Sequence, residues 1–204
     1  MKKALCLLII IVAVSLNGCS MAEIDKTAIV DSIYIYPAND SLNENLLCFD
    51  FNTIKNENPA VLPRYSVTAE TLAQAKEKLE QSAVPSLFLA QTECIVLSSF
   101  LDEKTVSHCL EYYKNDYECS PSVKVMFAVK GAIDELTEKD IPTERLIELC
   151  DIAKERDGET LVNIYSFYNK IISKEQFFAK VPLLYSKSQL DAVPTEFYSI
   201  KTKK

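Results

Sequence analysis

Apolar residues along this chain switch between two spacings, and this switching restricts the chain to folds that pack helices on a sheet. One segment repeats them at i, i+3, i+4 and i+7, as on one side of a helix: Val106, Cys109, Leu110 and Tyr113. The next segment alternates them, as in a strand: Val123, Val125, Phe127 and Val129. The pattern predicts an α/β or α+β fold with helices around a small mixed sheet.

The amino-terminal half is predicted to begin with a β-hairpin. Residues 26–36 are rich in Ile, Val and Tyr, and residues 37–41 have the composition of a turn. Residues 46–51 alternate apolar and other side chains, which predicts the second strand. The polar stretch 52–63 is predicted to be a loop, and residues 64–68 a short edge strand.

Helices and strands are then predicted in alternation. A helix is expected over residues 70–82, and the apolar run 94–97 predicts a buried strand. Asp102 is expected to cap the next helix, because its carboxylate accepts hydrogen bonds from free backbone N–H groups. Gly131 is expected to end the following strand and to permit a turn there.

Two more helices and two weaker strands complete the predicted order. Thr143 is expected to cap the first of these helices and Gly158 to close it. The second helix is predicted from apolar residues over 161–168. Residues 181–185 and 196–201 are weaker strand candidates. These elements are expected to form a single domain without an internal linker.

The amino terminus is typical of a lipoprotein signal peptide. Lys2 and Lys3 precede an apolar stretch over residues 4–14, which is short for a helix that must cross about 30 Å of hydrocarbon. A lipobox follows it: Leu16, Asn17, Gly18 and Cys19. A permanent signal anchor is the alternative.

The lipobox divides the chain into three parts. Residues 1–18 are predicted to be the signal peptide, 19–26 a tether that carries lipid on Cys19, and 27–204 a single α/β domain. The mature protein is then expected on the extracytoplasmic face of a membrane, held there by its lipid.

Composition and charge exclude several partners. The formal net charge is −7 at pH 7, which gives no electrostatic basis for binding nucleic acid. Hydrophobic residues make up 48% of the chain, as in globular proteins rather than disordered ones.

The cysteines suggest neither a metal site nor a disulfide framework, because no CxxC motif or regular spacing is present. Cys94, Cys109 and Cys150 lie on apolar faces and are expected to be small core residues. Cys48 falls in the second strand and Cys119 in a loop.

No catalytic motif stands out. His108, the one histidine, lies off the apolar face of its helix, and adjacent helical residues point about 100° apart, so it cannot serve Cys109. The acid-rich stretches 102–103, 134–135 and 138–140 are expected at helix starts or in polar connections. Six tyrosines suit either core packing or an interface: Tyr34, Tyr36, Tyr112, Tyr113, Tyr165 and Tyr168. We therefore expect no enzyme activity, cofactor or metal.

Three segments of the chain carry a resemblance to a known family. The first is Gly18-Cys19 with residues 23–30; the second is residues 87–97 before an acidic helix start; the third is residues 112–116 leading into 125–131. Together they resemble the N-terminal domain of the Ger(x)C or GerAC-type spore germination lipoproteins. The chain departs from the family at residues 20–22, where the family usually has Trp-Asp-Arg. It also lacks a histidine that is usual in the second segment, where residues 91–93 are Gln-Thr-Glu.

The resemblance implies a non-enzymatic C subunit of a germinant receptor. Such subunits are lipid-anchored on the outer surface of the inner spore membrane and act beside membrane-embedded A- and B-type subunits. Family members are longer, so the chain is expected to be a reduced or stand-alone relative of their first domain. The alternative is a surface lipoprotein that binds a small ligand or performs a hydrolysis, in a polar pocket containing acids such as Glu93 or Asp116.

Overall fold

The computed structural model describes residues 27–38, 46–54, 62–82, 86–115, 120, 122–173, 176–187 and 189–200. Eight strands form one mixed sheet: β1 (Thr27–Pro37), β2 (Leu47–Thr53), β3 (Arg64–Ala69), β4 (Ser86–Phe88), β5 (Cys94–Ser98), β6 (Lys124–Ala128), β7 (Gln176–Ser186) and β8 (Leu190–Ile200). Five helices accompany them: α1 (Leu72–Gln81), α2 (Glu103–Asn115), α3 (Lys130–Glu138), α4 (Thr143–Arg156) and α5 (Ile164–Ser173).

Four parallel strands form the centre of the sheet, and an antiparallel arrangement flanks each side. The strand order is β3-β2-β1-β5-β6-β7-β8, and the short β4 pairs with the amino-terminal part of β1. The pairs β1–β5, β5–β6 and β6–β7 are parallel. The pairs β1–β2, β2–β3 and β7–β8 are antiparallel, which confirms the predicted hairpin and edge strand.

Each face of the sheet packs against its own set of helices. Ile95 and Leu97 of β5 join the core beneath α1, α2 and α5, whereas Val96 joins the core beneath α3 and α4. This follows from strand geometry, because successive side chains point to opposite faces. The α/β prediction is therefore confirmed, in the form of helices on both faces of an eight-stranded mixed sheet.

A β-bulge interrupts this alternation in β1. Val30 pairs with Thr53 and Ser32 pairs with Asn52, so Asp31 has no partner on β2. Val30 therefore shares a core with Ile33, three residues away, rather than with Ser32. The side chain of Ser32 instead faces α4.

Two sequence predictions at helix starts are wrong. Gly131 does not end a strand with a turn; it is the second residue of α3, and its φ is not positive. The pattern did not predict α3, because only nine residues separate Val129 from Lys139. Thr143 does not cap α4: Pro142 occupies the N-cap position, and Thr143 is buried as the first helical residue.

The carboxyl-terminal strands are longer than predicted. The weak candidate segments correspond to β7 and β8, which pair along their whole length from Gln176 with Ile200 to Ser186 with Leu190. Leu161 precedes α5 rather than lying within it.

Candidate functional site

The predicted lipid-attachment site lies outside the described residues: Leu16, Asn17, Gly18 and Cys19. The loop residue Cys119 and the acid Asp116 lie outside them as well.

His108 is exposed on α2, as the sequence predicts, and it does not activate the adjacent thiol. Cys109 points into the core, where burial raises the pKa of its thiol to about 12. His108 instead lines a cavity of about 610 Å³ between α1 and α2, whose lining includes Glu111 and Asn115. The two neighbours therefore do not form a nucleophile pair.

Acids that the sequence singles out as pairs serve helix structure. Asp102 accepts a hydrogen bond of 2.7 Å from the backbone N–H of Thr105 and caps α2 as predicted. Hydrogen bonds from the side chain and the backbone of Thr105 lower the pKa of Asp102. Glu135 accepts one of 2.7 Å from Lys139. Glu135 and Asp134 lie in the interior of α3, and not at a helix start or in a polar connection as predicted, because the sequence pattern did not reveal that helix.

Three described thiols are core residues, as predicted. Cys94 of β5 and Cys150 of α4 lie in the core between the sheet and the two helices α3 and α4, where burial raises the pKa of Cys150 to about 12 and that of Cys94 well above its ordinary value. Cys48 on β2 is only partly buried. Within the described ranges, no group of three or more histidine, cysteine or acidic residues is placed to hold a metal ion.

The tyrosine set divides between core and surface. Tyr34, Tyr113 and Tyr168 are buried, whereas Tyr165 is 43% exposed. Tyr36 and Tyr112 are partly buried. The set therefore does not form one interface.

A hydrogen-bonded network surrounds the bulge in β1. The hydroxyl of Ser32 donates to Asp31 over 3.2 Å, and it accepts from the amide of Asn52 over 3.2 Å and from the hydroxyl of Thr143 over 3.0 Å. Ser32 and Thr143 are buried. The network joins β1, β2 and the first turn of α4, and burial raises the pKa of Asp31 above its ordinary value.

Two adjoining cavities open beside this network. One of about 340 Å³ is lined by Asp31, Glu93, Asp140 and Glu144, which we call the acidic rim, together with Ile54. The other, of about 430 Å³, shares Ile54 and Glu93 with it. Glu93 thus lines a cavity, as the ligand-binding alternative expects, but the described lining of either cavity contains no histidine or cysteine.

Arg64 on β3 ties the edge of the sheet to α3, a role that the sequence analysis missed. Its guanidinium donates to the carbonyl oxygens of Leu136 over 2.8 Å and Thr137 over 2.5 Å. It also donates to Asn52 over 2.7 Å and lies 5.7 Å from the ring centroid of Tyr34. These contacts satisfy carbonyls at the carboxyl end of α3, which have no partner within the helix.

Asp50 is a second residue that sequence reasoning missed. It is 2% exposed, and its Oδ2 accepts a hydrogen bond of 3.1 Å from Tyr36. Its other carboxylate oxygen is buried and has no hydrogen-bond partner within the part of the chain that the structure describes. The alternation of β2 places Asp50 opposite its apolar face, but nothing in the sequence predicts that this side is buried.

The helices that the structure describes include none with the length and apolarity needed to cross a membrane.

The described residues thus combine buried hydrogen-bonded networks with an open, acid-lined surface. Comparison with known proteins assigns the chain to a family. Residues 20–182 match the family described as "Spore germination protein N-terminal domain". No curated protein and no solved structure shows significant similarity to the chain. Because the match covers most of the sequence, the chain belongs to the family of spore germination protein N-terminal domains.

Proposed function

We propose that the chain is a lipid-anchored, non-enzymatic component of a spore germinant receptor, or of a related sporulation membrane complex, that acts through protein–protein contacts. The observation that carries this proposal is the family match, which begins at residue 20, immediately after Cys19. The coarser role, in spore germination, follows from the family description itself.

The lipid anchor is the first part of the proposal. Cleavage between Gly18 and Cys19 would leave the lipid on Cys19, a tether over residues 19–26 and the domain over residues 27–204. Eight tether residues span at most about 27 Å when extended. The domain would thus stay close to the extracytoplasmic surface of the inner spore membrane or cell membrane.

The absence of catalysis is the second part. The surroundings of the best-placed catalytic candidates support this part. His108 faces away from its neighbouring thiol, and Asp102 and Glu135 form hydrogen bonds within their own helices. A domain of this kind acts by presenting a surface. Its partners would be the membrane-embedded A- and B-type subunits of the receptor, which lie within reach of so short a tether.

Gene deletion with complementation tests the proposal. We expect the deletion strain to lose nutrient-triggered germination and the wild-type gene to restore it. Cys19→Ala should abolish retention in the spore membrane fraction and fail to restore germination. Cys48→Ser is the matched control, because this partly buried strand cysteine is remote from the anchor in sequence, and it should complement fully. Normal germination without the gene would refute the receptor role.

The mass of the mature amino terminus separates lipidation from a permanent signal anchor. A diacylglycerol-modified peptide beginning at Cys19 is expected. A chain that retains residues 1–18 in the membrane would instead establish the anchor alternative.

A further inference from the structure

Four apolar side chains lie across the amino end of β1. Phe88 is the register partner of Ile29, and the backbone N–H of Ile54 donates to the carbonyl of Ile29 on the other side, over 2.9 Å. Next to Ile54, the carbonyl of Leu62 accepts a hydrogen bond from the hydroxyl of Thr53 over 2.6 Å. We call Leu62, Ile54, Ile29 and Phe88 the apolar row.

The strand registers place Ile29 and Phe88 on one face of the sheet, and Ile54 and Leu62 lie just beyond the ends of β2 and β3. Ile29 and Phe88 are directly opposite each other, so they point the same way. Ile54 follows Asn52 by two residues and Leu62 precedes Arg64 by two, and Asn52 and Arg64 are themselves paired. Because Ser32 pairs with Asn52 and bonds Thr143, this is the α3/α4 face of the sheet.

The apolar row is exposed to an unusual degree. Leu62 is 53% exposed, Ile54 44% and Phe88 39%, and these are three of the five large hydrophobic side chains exposed in the described part of the chain. Ile54 also lines both cavities beside the bulge, with Ile147 and Pro142 of the α4 region. Scattered apolar residues need no explanation, but an aligned set bordering a groove is typical of a docking surface.

The charge beside the row indicates what fits there. The acidic rim contributes four carboxyl groups to the two cavities, whereas the described lining contains one cation, Lys124, which is paired with Asp151. Anionic lipid headgroups would be repelled by this rim, so a bilayer is disfavoured as the occupant. A segment that combines apolar side chains with lysine or arginine can pack on the apolar row and pair its cations with the carboxyl groups of the acidic rim.

We propose that the apolar row and the acidic rim together form a docking groove for a basic amphipathic segment of a partner protein. The groove lies at the amino end of β1, where the chain arrives from the tether. A partner embedded in the same membrane would contact the groove at this end of the domain. Only this membrane location of the partner rests on the proposed function. The peptide experiment below depends on neither germination nor the receptor, so the two proposals fail independently.

Binding of a defined peptide tests the groove. The full chain, held in phosphatidylcholine nanodiscs, is titrated into a fluorescent amphipathic peptide of about 18 residues built from Leu and Lys. The Leu/Glu counterpart is the charge control. We expect the Leu/Lys peptide to bind, with affinity that falls as salt rises, and the Leu/Glu peptide not to bind.

Matched variants separate the groove from general attraction to an acidic protein. Ile54→Ser with Phe88→Ser removes the centre of the row, and Glu93→Gln with Glu144→Gln neutralises half of the rim. Each pair should weaken binding about tenfold. Tyr165→Ser, equally exposed but on α5, and Glu80→Gln with Glu155→Gln, exposed acids elsewhere, should leave binding unchanged. Thermal unfolding of each variant confirms its fold.

Two outcomes would overturn the proposal. Equal binding by groove and control variants would show that the peptide senses only net charge. Row-dependent binding to phosphatidylglycerol vesicles, without peptide binding, would assign the row to the bilayer instead.

Discussion

The hydroxyl of Thr143 donates a 3.0 Å hydrogen bond to the hydroxyl of Ser32, 111 positions earlier in the chain. Both side chains are buried, and the contact joins the first turn of α4 to the bulge in β1. The bond therefore connects the helical layer to the strand that carries the proposed docking groove.

Replacement of Thr143 by valine tests this contact. Valine keeps the shape but removes the donor, so we expect a loss of about 1–2 kcal/mol in the free energy of unfolding, measured by urea denaturation. Thr143→Ser keeps the hydroxyl and should lose less. If valine were as stable as threonine, the hydrogen bond would not contribute to the fold.

Arg64→Lys tests the attachment of the sheet edge to α3. Lysine keeps the charge, but its donors all stand on one nitrogen and cannot reproduce the planar fork that reaches both carbonyl groups and Asn52, so we expect the free energy of unfolding to fall by about 1–3 kcal/mol. Arg145→Lys is the control, because Arg145 forms an exposed ion pair with Glu148 and its replacement should change stability by less than about 0.5 kcal/mol. Equal effects would contradict the role assigned to Arg64.

Gly131→Ala distinguishes the helix from the turn that the sequence suggested. Apart from the backbone of its own helix and its chain neighbours, no atom of the described residues lies within 4 Å of a methyl group at this position, and its φ is not positive. Alanine should therefore raise the free energy of unfolding by about 0.4–1 kcal/mol. A turn with positive φ would instead make alanine destabilising, so the sign of the change in thermal unfolding decides between them.

Asp31→Asn tests the effect of burial on the bulge carboxyl group. The pKa of Asp31 is raised in the folded protein, so the folded state binds the proton more tightly than the unfolded state does. The ionised carboxylate therefore destabilises the fold above its folded pKa, and this penalty vanishes below the unfolded pKa. We expect Asp31→Asn to be more stable than wild type at pH 7, with the difference shrinking towards pH 3 in urea denaturation.

Asp157→Asn should show the opposite dependence. A hydrogen bond from Lys180 lowers the pKa of Asp157, so the stability that this carboxylate contributes is present at neutral pH and is lost on acidification. The variant should thus be less stable than wild type at pH 7 and should approach it at low pH. Parallel pH profiles for the two variants would refute the assigned environments.

Alkylation rates test the burial of the thiols. Cys48 is partly buried, whereas Cys94, Cys109 and Cys150 are enclosed in the core. Burial raises the pKa values of Cys109 and Cys150 to about 12, which leaves very little thiolate at pH 8. Among these four described cysteines, pulsed iodoacetamide labelling, resolved by peptide mass spectrometry, should modify Cys48 first. In guanidinium the four rates should converge; earlier labelling of Cys109 would contradict its placement.

Sequence periodicity predicts most of the fold because the elements with one buried side carry a clear pattern. The stripe on α2 is observed as predicted, and Val123, Val125 and Phe127 share one core, but Val129 occupies the N-cap of α3 and packs on the other face. The sequence pattern did not predict the helix α3, because its nine residues follow a strand directly and contain a glycine that also suits a turn. Periodicity describes local geometry and carries little information where an element is that short.

The candidate groove was less accessible to sequence reasoning. Glu93 was singled out, but Ile54 and Leu62 fall at the two ends of a stretch assigned to a loop. Their position near Ile29 and Phe88 depends on strand pairings that join distant parts of the chain. The roles of Arg64 and Asp50 were not predicted for the same reason, because tertiary structure decides which residues they contact.

The bulge at Asp31 also sets the phase of β1. The strand carries Ala28 and Val30 on the same face as Ile33 and Ile35, although Ile33 follows Val30 by three positions, an odd spacing that strict alternation would place on opposite faces. Deleting one residue at the bulge would restore strict alternation. Every side chain of β1 before the bulge would then point to the opposite face of the sheet. Ala28 and Val30 would move out of the core and Ile29 would enter it. The outward placement of Ile29 therefore depends on Asp31, the one residue of the bulge that has no partner on β2.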